Sequence, residues 1–206
     1  MKKKLIKGFT DRNFSSIDKI KTKFPESAYL KQIHGKEIIY ADRIGYIGEA
    51  DGLYTDKVNL LLTVRVADCN AIYLWDDNIN YIMILHSGWK GTVKKILLEG
   101  LKIFSKKGID EKNLNVEISP SARKCCYEVS RDFYTKYKKR SHLFFEKRKN
   151  KFYLDLAVSN RKIAEENGIS SIKIHDKCTI CNENYFSYRR DNTSKRHLAY
   201  IGIRKE

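Results

Sequence analysis

An α+β domain built on a mixed β-sheet is what the amino-acid sequence predicts, and three observations predict it. Short apolar runs of strand length follow one another between residues 28 and 85 with no helical period between them. The two segments with the strongest helical spacing sit later, after Gly88 and after Asp155. Asp76-Asp77-Asn78 between two apolar runs is a turn signal that makes a hairpin. A regular alternation of strand and helix, which would give a parallel sheet, is absent.

The elements follow in order. Ser15-Ser16 ahead of Ile17, Ile20 and Phe24 reads as a capped short helix stopped at Pro25. Ala28-Tyr29-Leu30, Ile38-Ile39-Tyr40, Leu60 to Val66, Ala71 to Trp75 and Tyr81 to Leu85 read as strands, the last two as the hairpin. Val93, Ile96, Leu97, Leu101 and Phe104 recur at helical spacing up to Gly108. Val116-Glu117-Ile118 returns as a strand, and the basic, Tyr-rich stretch after Phe133 is expected to be an exposed loop or helix–loop over 138–151. Asp155 caps a helix carrying Leu156, Ile163 and Ala164, which ends at Gly168. Ile172 to Ile174, Tyr185 to Tyr188 and Leu198 to Ile203 complete the chain as strands. No repeat or linker divides it, so residues 1–206 are expected to form a single domain.

Composition narrows the function. Of 206 residues 42% are apolar, enough for a real core, and two Pro with 11 Gly exclude collagen-like and Pro-rich classes. No apolar run is long enough to span a bilayer, and the basic start Met1-Lys2-Lys3-Lys4 lacks the apolar stretch of a secretory signal. Five Cys, an odd number with two adjacent, point to reduced thiols and a cytoplasmic setting. The formal net charge of +16 invites a nucleic-acid partner. Its Lys are scattered rather than clustered, so composition alone accounts for the charge and nucleic acid is not the expected partner.

Four constellations could carry chemistry. His34, Cys69 and His86 each lie at or just beyond a predicted strand end, and two imidazoles with one thiolate suit Zn²⁺ with a free fourth position. Copper also accepts His₂Cys, while satisfied structural residues are the plainer reading. His86-Ser87-Gly88-Trp89-Lys90-Gly91 is a Gly-rich turn entering a helix, able to meet an anion or simply to connect strand to helix. Tyr185-Phe186-Ser187-Tyr188-Arg189-Arg190-Asp191, with Arg196 soon after, suits phosphate capture beside a stacked base, or an edge strand. Cys178-Thr179-Ile180-Cys181 has the CxxC spacing of half a zinc site. Cys125-Cys126 would have to supply the other half. Adjacent strand residues point to opposite faces, so buried thiols are the expectation there.

Together these segments resemble one family in order and spacing. It is the multicopper polyphenol oxidase or laccase-like family, also described as YfiH-like, as peptidoglycan-editing-factor-like and as purine nucleoside phosphorylases. The matching segments are Phe9-Thr10-Asp11-Arg12, Gln32-Ile33-His34-Gly35, Ala50-Asp51, Thr63 to Cys69 and Leu85 to Gly91, then Cys125-Cys126-Tyr127-Glu128-Val129, Cys178-Thr179 and Phe186 to Asp191. The resemblance implies an α/β sandwich unlike a cupredoxin, with His34, Cys69 and His86 as zinc ligands. The chain holds five His, too few for a multicopper centre. Departures fall at Ser119 to Lys124, at Lys90 in place of Arg and at Thr193-Ser194-Lys195-Arg196, on the expected phosphate and substrate walls, and imply reduced or shifted activity.

The family implies phosphorolysis of adenosine, inosine and methylthioadenosine, and deamination of adenosine. Zinc would activate a water for attack at C6, with Asp68, or else Asp51, moving protons. Arg12, Lys90, Arg189 and Arg190 would bind phosphate or stabilise developing charge, with Tyr188 or Phe186 against the base. Purine nucleosides and phosphate are the implied partners, and a monomer or homodimer the implied state. A cysteine amidohydrolase editing peptidoglycan precursors, with Cys69 as nucleophile and His86 as base, is the alternative, beside a copper-dependent polyphenol oxidase and a basic binding module.

Overall fold

The computed structural model describes residues 3–12 and 25–205, so the helix expected over 15–24 lies outside the described residues. Fourteen strands and five short α-helices are described, in the order β1 (Lys3–Phe9), β2 (Ser27–Lys31), β3 (Ile38–Tyr40), β4 (Gly45–Glu49), β5 (Gly52–Thr55), β6 (Leu61–Val66), β7 (Asn70–Asp76) and β8 (Ile82–Ser87). Next come α1 (Trp89–Val93), α2 (Ile96–Lys106), β9 (Leu114–Ile118), β10 (Glu128–Val129), α3 (Arg131–Tyr137), β11 (Phe144–Arg148) and β12 (Lys151–Asp155). The chain continues with α4 (Leu156–Glu165), β13 (Ser171–Ile174), α5 (Tyr188–Asp191) and β14 (His197–Lys205).

Two mixed sheets make the frame: a five-stranded sheet ordered β1-β14-β6-β2-β4 and a six-stranded sheet ordered β13-β9-β7-β8-β5-β3. Alternation along β7 and β8 shows how they stack. Ala71, Tyr73, Ile82 and Ile84 pack with Leu62, Val64, Ala199 and Ile201 between the sheets. Ile72, Leu74, Met83 and Leu85 point the other way, onto Leu97, Leu101 and Phe104 of α2 and Ile163 and Ala164 of α4. The six-stranded sheet is therefore buried on both faces, which explains why β7 and β8 read as continuous apolar runs. Tyr73 crosses the sandwich to donate its hydroxyl proton to Gly8 O, 2.8 Å away.

The hairpin between β7 and β8 is closed by Asp76, whose Oδ1 accepts from the amides of Asn80 (2.8 Å) and Tyr81 (2.7 Å). Asp155 caps α4 through Val158 N–H, and Gly168 takes a φ of 82° beyond it.

Three expectations are corrected. The helical run after Gly88 is two helices, α1 and α2, broken at Lys95 with a φ of 58°. The stretch 138–151 is not an open loop. It carries β11, which pairs with β12 in a three-stranded sheet, beneath an aromatic cluster in which Tyr134 stacks on Phe152 at 4.0 Å and Trp89 meets Phe133 at 5.2 Å. Aromatics interleaved with Lys cover their own small core while the ammonium groups stay in water. Tyr185 to Tyr188 is a loop entering α5, because Ser187 accepts from Arg190 N–H as a helix cap instead of joining a ladder.

Candidate metal centre and cleft

The chain passes from the five-stranded to the six-stranded sheet at Ala67–Cys69, between β6 and β7, and again at Gln32–Glu37, between β2 and β3. Both crossings occur at one end of the sandwich, and the end of β8 faces them. This brings His34, Cys69 and His86 together, with one ligand atom from each lying within 4.8 Å of the others. His34 is exposed, His86 is buried and Cys69 lies between. Gly88 permits the close approach: a Cβ there would stand 2.7 Å from Cys69 Sγ.

One buried carboxylate organises two of the three. Asp51 Oδ1 is 2.7 Å from His86 Nδ1, while its Oδ2 accepts from the amides of Gly35 (2.6 Å) and Ile33 (3.2 Å). That holds His34 in its left-handed backbone conformation (φ 57°) and leaves His86 Nε2 to face the cysteine. Burial opposes charge in all these groups, yet the pairing prevails. Asp51 is held below the usual carboxylate range by His86 and the Gly35 amide. Hydrogen bonds with His34 and His86 bring Cys69 down to about 7, and Asp51 and Cys69 lift His86 to about 9. A thiolate beside oriented imidazoles, one backed by a carboxylate, is the donor chemistry a borderline-soft divalent ion needs, so this set fits zinc.

Over it lies a cleft of about 450 Å³ lined by Lys31, Gln32, His34, Arg65, Val66, Ala67, Cys69, His86, Tyr188 and Arg196. Tyr188 is half exposed on its wall, with Arg196 5.6 Å from the ring. The Gln32 side-chain amide donates to Arg65 O and accepts from Arg65 N, both at 2.9 Å. It thereby joins β2 to β6 where their own pairing, Ser27 to Leu61 and Ala28 to Leu62, has stopped. Beyond that link a groove of about 200 Å³, lined by Tyr29, Tyr46, Val64 and Leu198 among others, opens between the parted strands.

The other sequence candidates stand around the cleft rather than in it. Asp68 (φ 79°) turns its carboxylate into the wall, where Thr179 Oγ1 (2.7 Å), Ser187 Oγ (3.0 Å) and Arg189 N (2.7 Å) donate to it. The Arg189 guanidinium donates to Glu128 O at 2.8 Å and lies 4.8 Å over the Tyr127 ring. Arg190 donates to the carbonyls of Thr179, Ile180 and Tyr185 and pairs with Asp191. Arg12 donates to Glu183 O, and Lys90 is exposed, its ammonium 5.7 Å from the Trp89 ring.

Lys31, Gln32 and Arg65 line the cleft and were not singled out by sequence. A lone Arg in the apolar run from Leu60 to Val66 was the available signal. Tyr127 was also passed over. Burial and the Cys69 charge push its hydroxyl up to about 12.

Buried His197 fastens the wall to the start of the chain. Its Nδ1 donates to Thr10 O and its Nε2 accepts from Phe186 N, each at 2.7 Å, and burial lowers it to about 4. Among the described residues no helix is long and apolar enough to cross a membrane.

Comparison with known proteins follows the same outline. A family model described as "Multi-copper polyphenol oxidoreductase laccase" matches residues 10–204. A protein of Borreliella burgdorferi named purine nucleoside phosphorylase is 34% identical over 195 residues, covering 90% of this chain and 81% of the relative. One of Aquifex aeolicus with the same name is 34% identical over 155 residues, 75% of this chain and 71% of its own. In structure, YlmD from Geobacillus stearothermophilus superposes with a TM-score of 0.89 at 24% identity, covering 98% of this chain and 92% of that one. The hypothetical protein YfiH of Bacillus licheniformis gives 0.86 at 24%, over 96% and 92%.

Proposed function

We infer, from the premise that this chain belongs to the multi-copper polyphenol oxidoreductase laccase family, that it is a zinc-dependent purine nucleoside phosphorylase. The observation that carries the reading is a three-donor metal set at the floor of a cleft whose walls bear three cationic side chains. Relatives of the chain that bear the name purine nucleoside phosphorylase support it. His34, Cys69 and His86 would hold the ion, which when bound supplies a Lewis acid to an oxygen in the cleft.

Phosphorolysis forms a bond from a phosphate oxygen to C1′ of the ribose and breaks the bond from C1′ to the purine nitrogen, whose electron pair leaves with the base. Two anions are involved, the incoming phosphate and the departing purine, and fixed positive charge stabilises both. Lys31, Arg65 and Arg196 line the space where phosphate would lie, and Tyr188 offers a ring face to the base. Asp51 positions the His34 loop and the His86 ring. Asp68, Arg189, Arg190 and Arg12 hold the wall that carries Tyr188. Lys90 stands outside the lining and would act on phosphate only at long range.

Deamination of adenosine needs a group that relays protons at C6. Both candidate carboxylates, Asp51 and Asp68, already accept hydrogen bonds from protein donors, so phosphorolysis is the reaction this arrangement supports best.

The test incubates Zn²⁺-loaded protein with adenosine, inosine or methylthioadenosine, with and without phosphate, and separates the products. Free base and the sugar 1-phosphate (ribose 1-phosphate, or 5-methylthioribose 1-phosphate from methylthioadenosine) appearing only with phosphate are expected. Inosine formed from adenosine without phosphate would point to deamination, and unchanged nucleosides would remove the reading altogether.

A further inference from the structure

On a strand, Cys125 and Cys126 would be poor partners for the CxxC pair, because strand neighbours point apart. They are not on a strand. Cys126 N and Tyr127 N both donate to Arg123 O, at 3.0 and 2.9 Å, so the two cysteines ride a tight turn that delivers both sulfurs to one side. A short parallel bridge, Ser121 beside Cys178, with Thr179 N donating to Ser121 O at 3.0 Å, lays the second segment against the first. The sulfurs of Cys125, Cys126, Cys178 and Cys181 consequently all lie within 4.8 Å of one another, and those of Cys125 and Cys181 are 3.7 Å apart.

We propose that these four cysteines form a second metal centre, a closed tetrathiolate site for one Zn²⁺ ion, separate from the His34–Cys69–His86 set. The spacing fits a single ion. Tetrahedral zinc with Zn–S near 2.3 Å places its sulfurs about 3.8 Å apart, so the Cys125–Cys181 distance already equals one edge. The surroundings fit too. The backbone amides of Cys181, Arg123 and Ile180 favour the Cys178 thiolate against burial, as expected of a sulfur that must share a net negative cluster. Arg148 donates to Lys124 O and Cys125 O, and Arg190 to Thr179 O and Ile180 O, putting guanidinium charge behind both turns.

Four protein sulfurs leave no open position, so the centre is structural. It clips the 123–127 turn to the 178–182 turn. Thr179 in turn holds Asp68, next to Cys69, and Arg190 ties the same turn to α5. The ion would therefore stiffen the wall of the cleft without touching substrate, and it stands whether or not the proposed reaction does.

The test counts metal and does not use turnover. The full chain is loaded with Zn²⁺ under reductant, desalted and analysed for zinc by mass spectrometry. Two ions per chain are expected in the unaltered protein, and one each in Cys69→Ser and in Cys181→Ser. The Co²⁺ form of Cys69→Ser should show thiolate charge-transfer and strong tetrahedral visible bands. Because Cys181→Ser could fail to fold, the Cys69→Ser chain decides: no bound zinc there overturns the proposal. So does a disulfide among the four cysteines in protein kept reduced, read by alkylation and peptide mapping. Protection of these cysteines from alkylation until a chelator is added supports it.

Discussion

Asp51 serves two segments of the candidate metal centre with one carboxylate, so its charge matters more than its bulk. Asp51→Asn preserves shape but leaves a single acceptor oxygen, so either the His86 bond or the bonds from the Gly35 and Ile33 amides are lost. Zinc affinity should fall by about 10- to 100-fold with the fold intact, read by competition against a chromophoric chelator. Glu117 offers a second test at this scale. It accepts from Lys7 of the opposite sheet at 2.6 Å and pairs with His175 at 2.9 Å; the His175 bond, with Lys7 and against burial, holds its carboxyl down at about 2. A depressed folded pKa gives stability that is present above the ordinary value of 4.5 and lost as pH falls through about 2. Because His175 is partly exposed, Glu117→Gln should cost only about 1–2 kcal/mol near pH 7. That gap should close by about pH 2, as denaturant melts at the two pH values would show. The sequence offers His34, Cys69 and His86 as candidate ligands, weakly by their place at strand ends and more firmly through the family resemblance, and the fold brings the three together. The sequence hid the Asp68 role, since nothing local tells whether a carboxylate beside Cys69 faces the cleft or the wall.

Among the elements, α4 depends on the residue before it. Asp155 is buried, caps Val158 N–H and accepts both oxygens' worth of hydrogen bonding from Arg123 Nε at 3.0 Å. Asp155→Ala removes a cap and strands a largely buried guanidinium, so unfolding free energy should drop by about 3 kcal/mol, checked by urea titration. The cap was legible from Asp155 ahead of Leu156, and the hairpin from Asp76-Asp77-Asn78, because both are local chemistry. Strand β1 was not, since Lys3 to Phe9 reads Lys-Lys-Leu-Ile-Lys-Gly-Phe without a period-two pattern and becomes a strand only by pairing, Lys3 to Lys205 through Phe9 to Ala199. Strands β4 and β5 are short, Gly-started and equally dependent on partners. Over 138–151 the origin is the same: Lys and Arg dominate the local signal, while Phe145 is held by Phe133 and Tyr134 of α3, which lie outside the segment.

For the whole molecule, two cores share one sheet, and the mixed order of strands was foreseeable because no helices separate the early runs. Which strands meet at the open end was not, since it depends on the two crossings between sheets. The +16 charge belongs to this scale as well. A broadly positive surface with Lys31, Arg65 and Arg196 at the cleft should attract phosphate from a distance. kcat/KM for phosphate is therefore expected to fall severalfold from ~0.01 to ~1 M salt, as the Debye length shrinks from about 30 to about 3 Å. KM for an uncharged nucleoside should hardly move in the same series. Gln32 shows what such an end of a sandwich requires. Its carboxamide stands in for a missing peptide unit, donating and accepting at once where two strands have separated. Glu would offer no proton, Lys no lone pair and Leu neither, so this one position acts as the partition between two hollows, and only a residue that imitates the backbone can keep them apart.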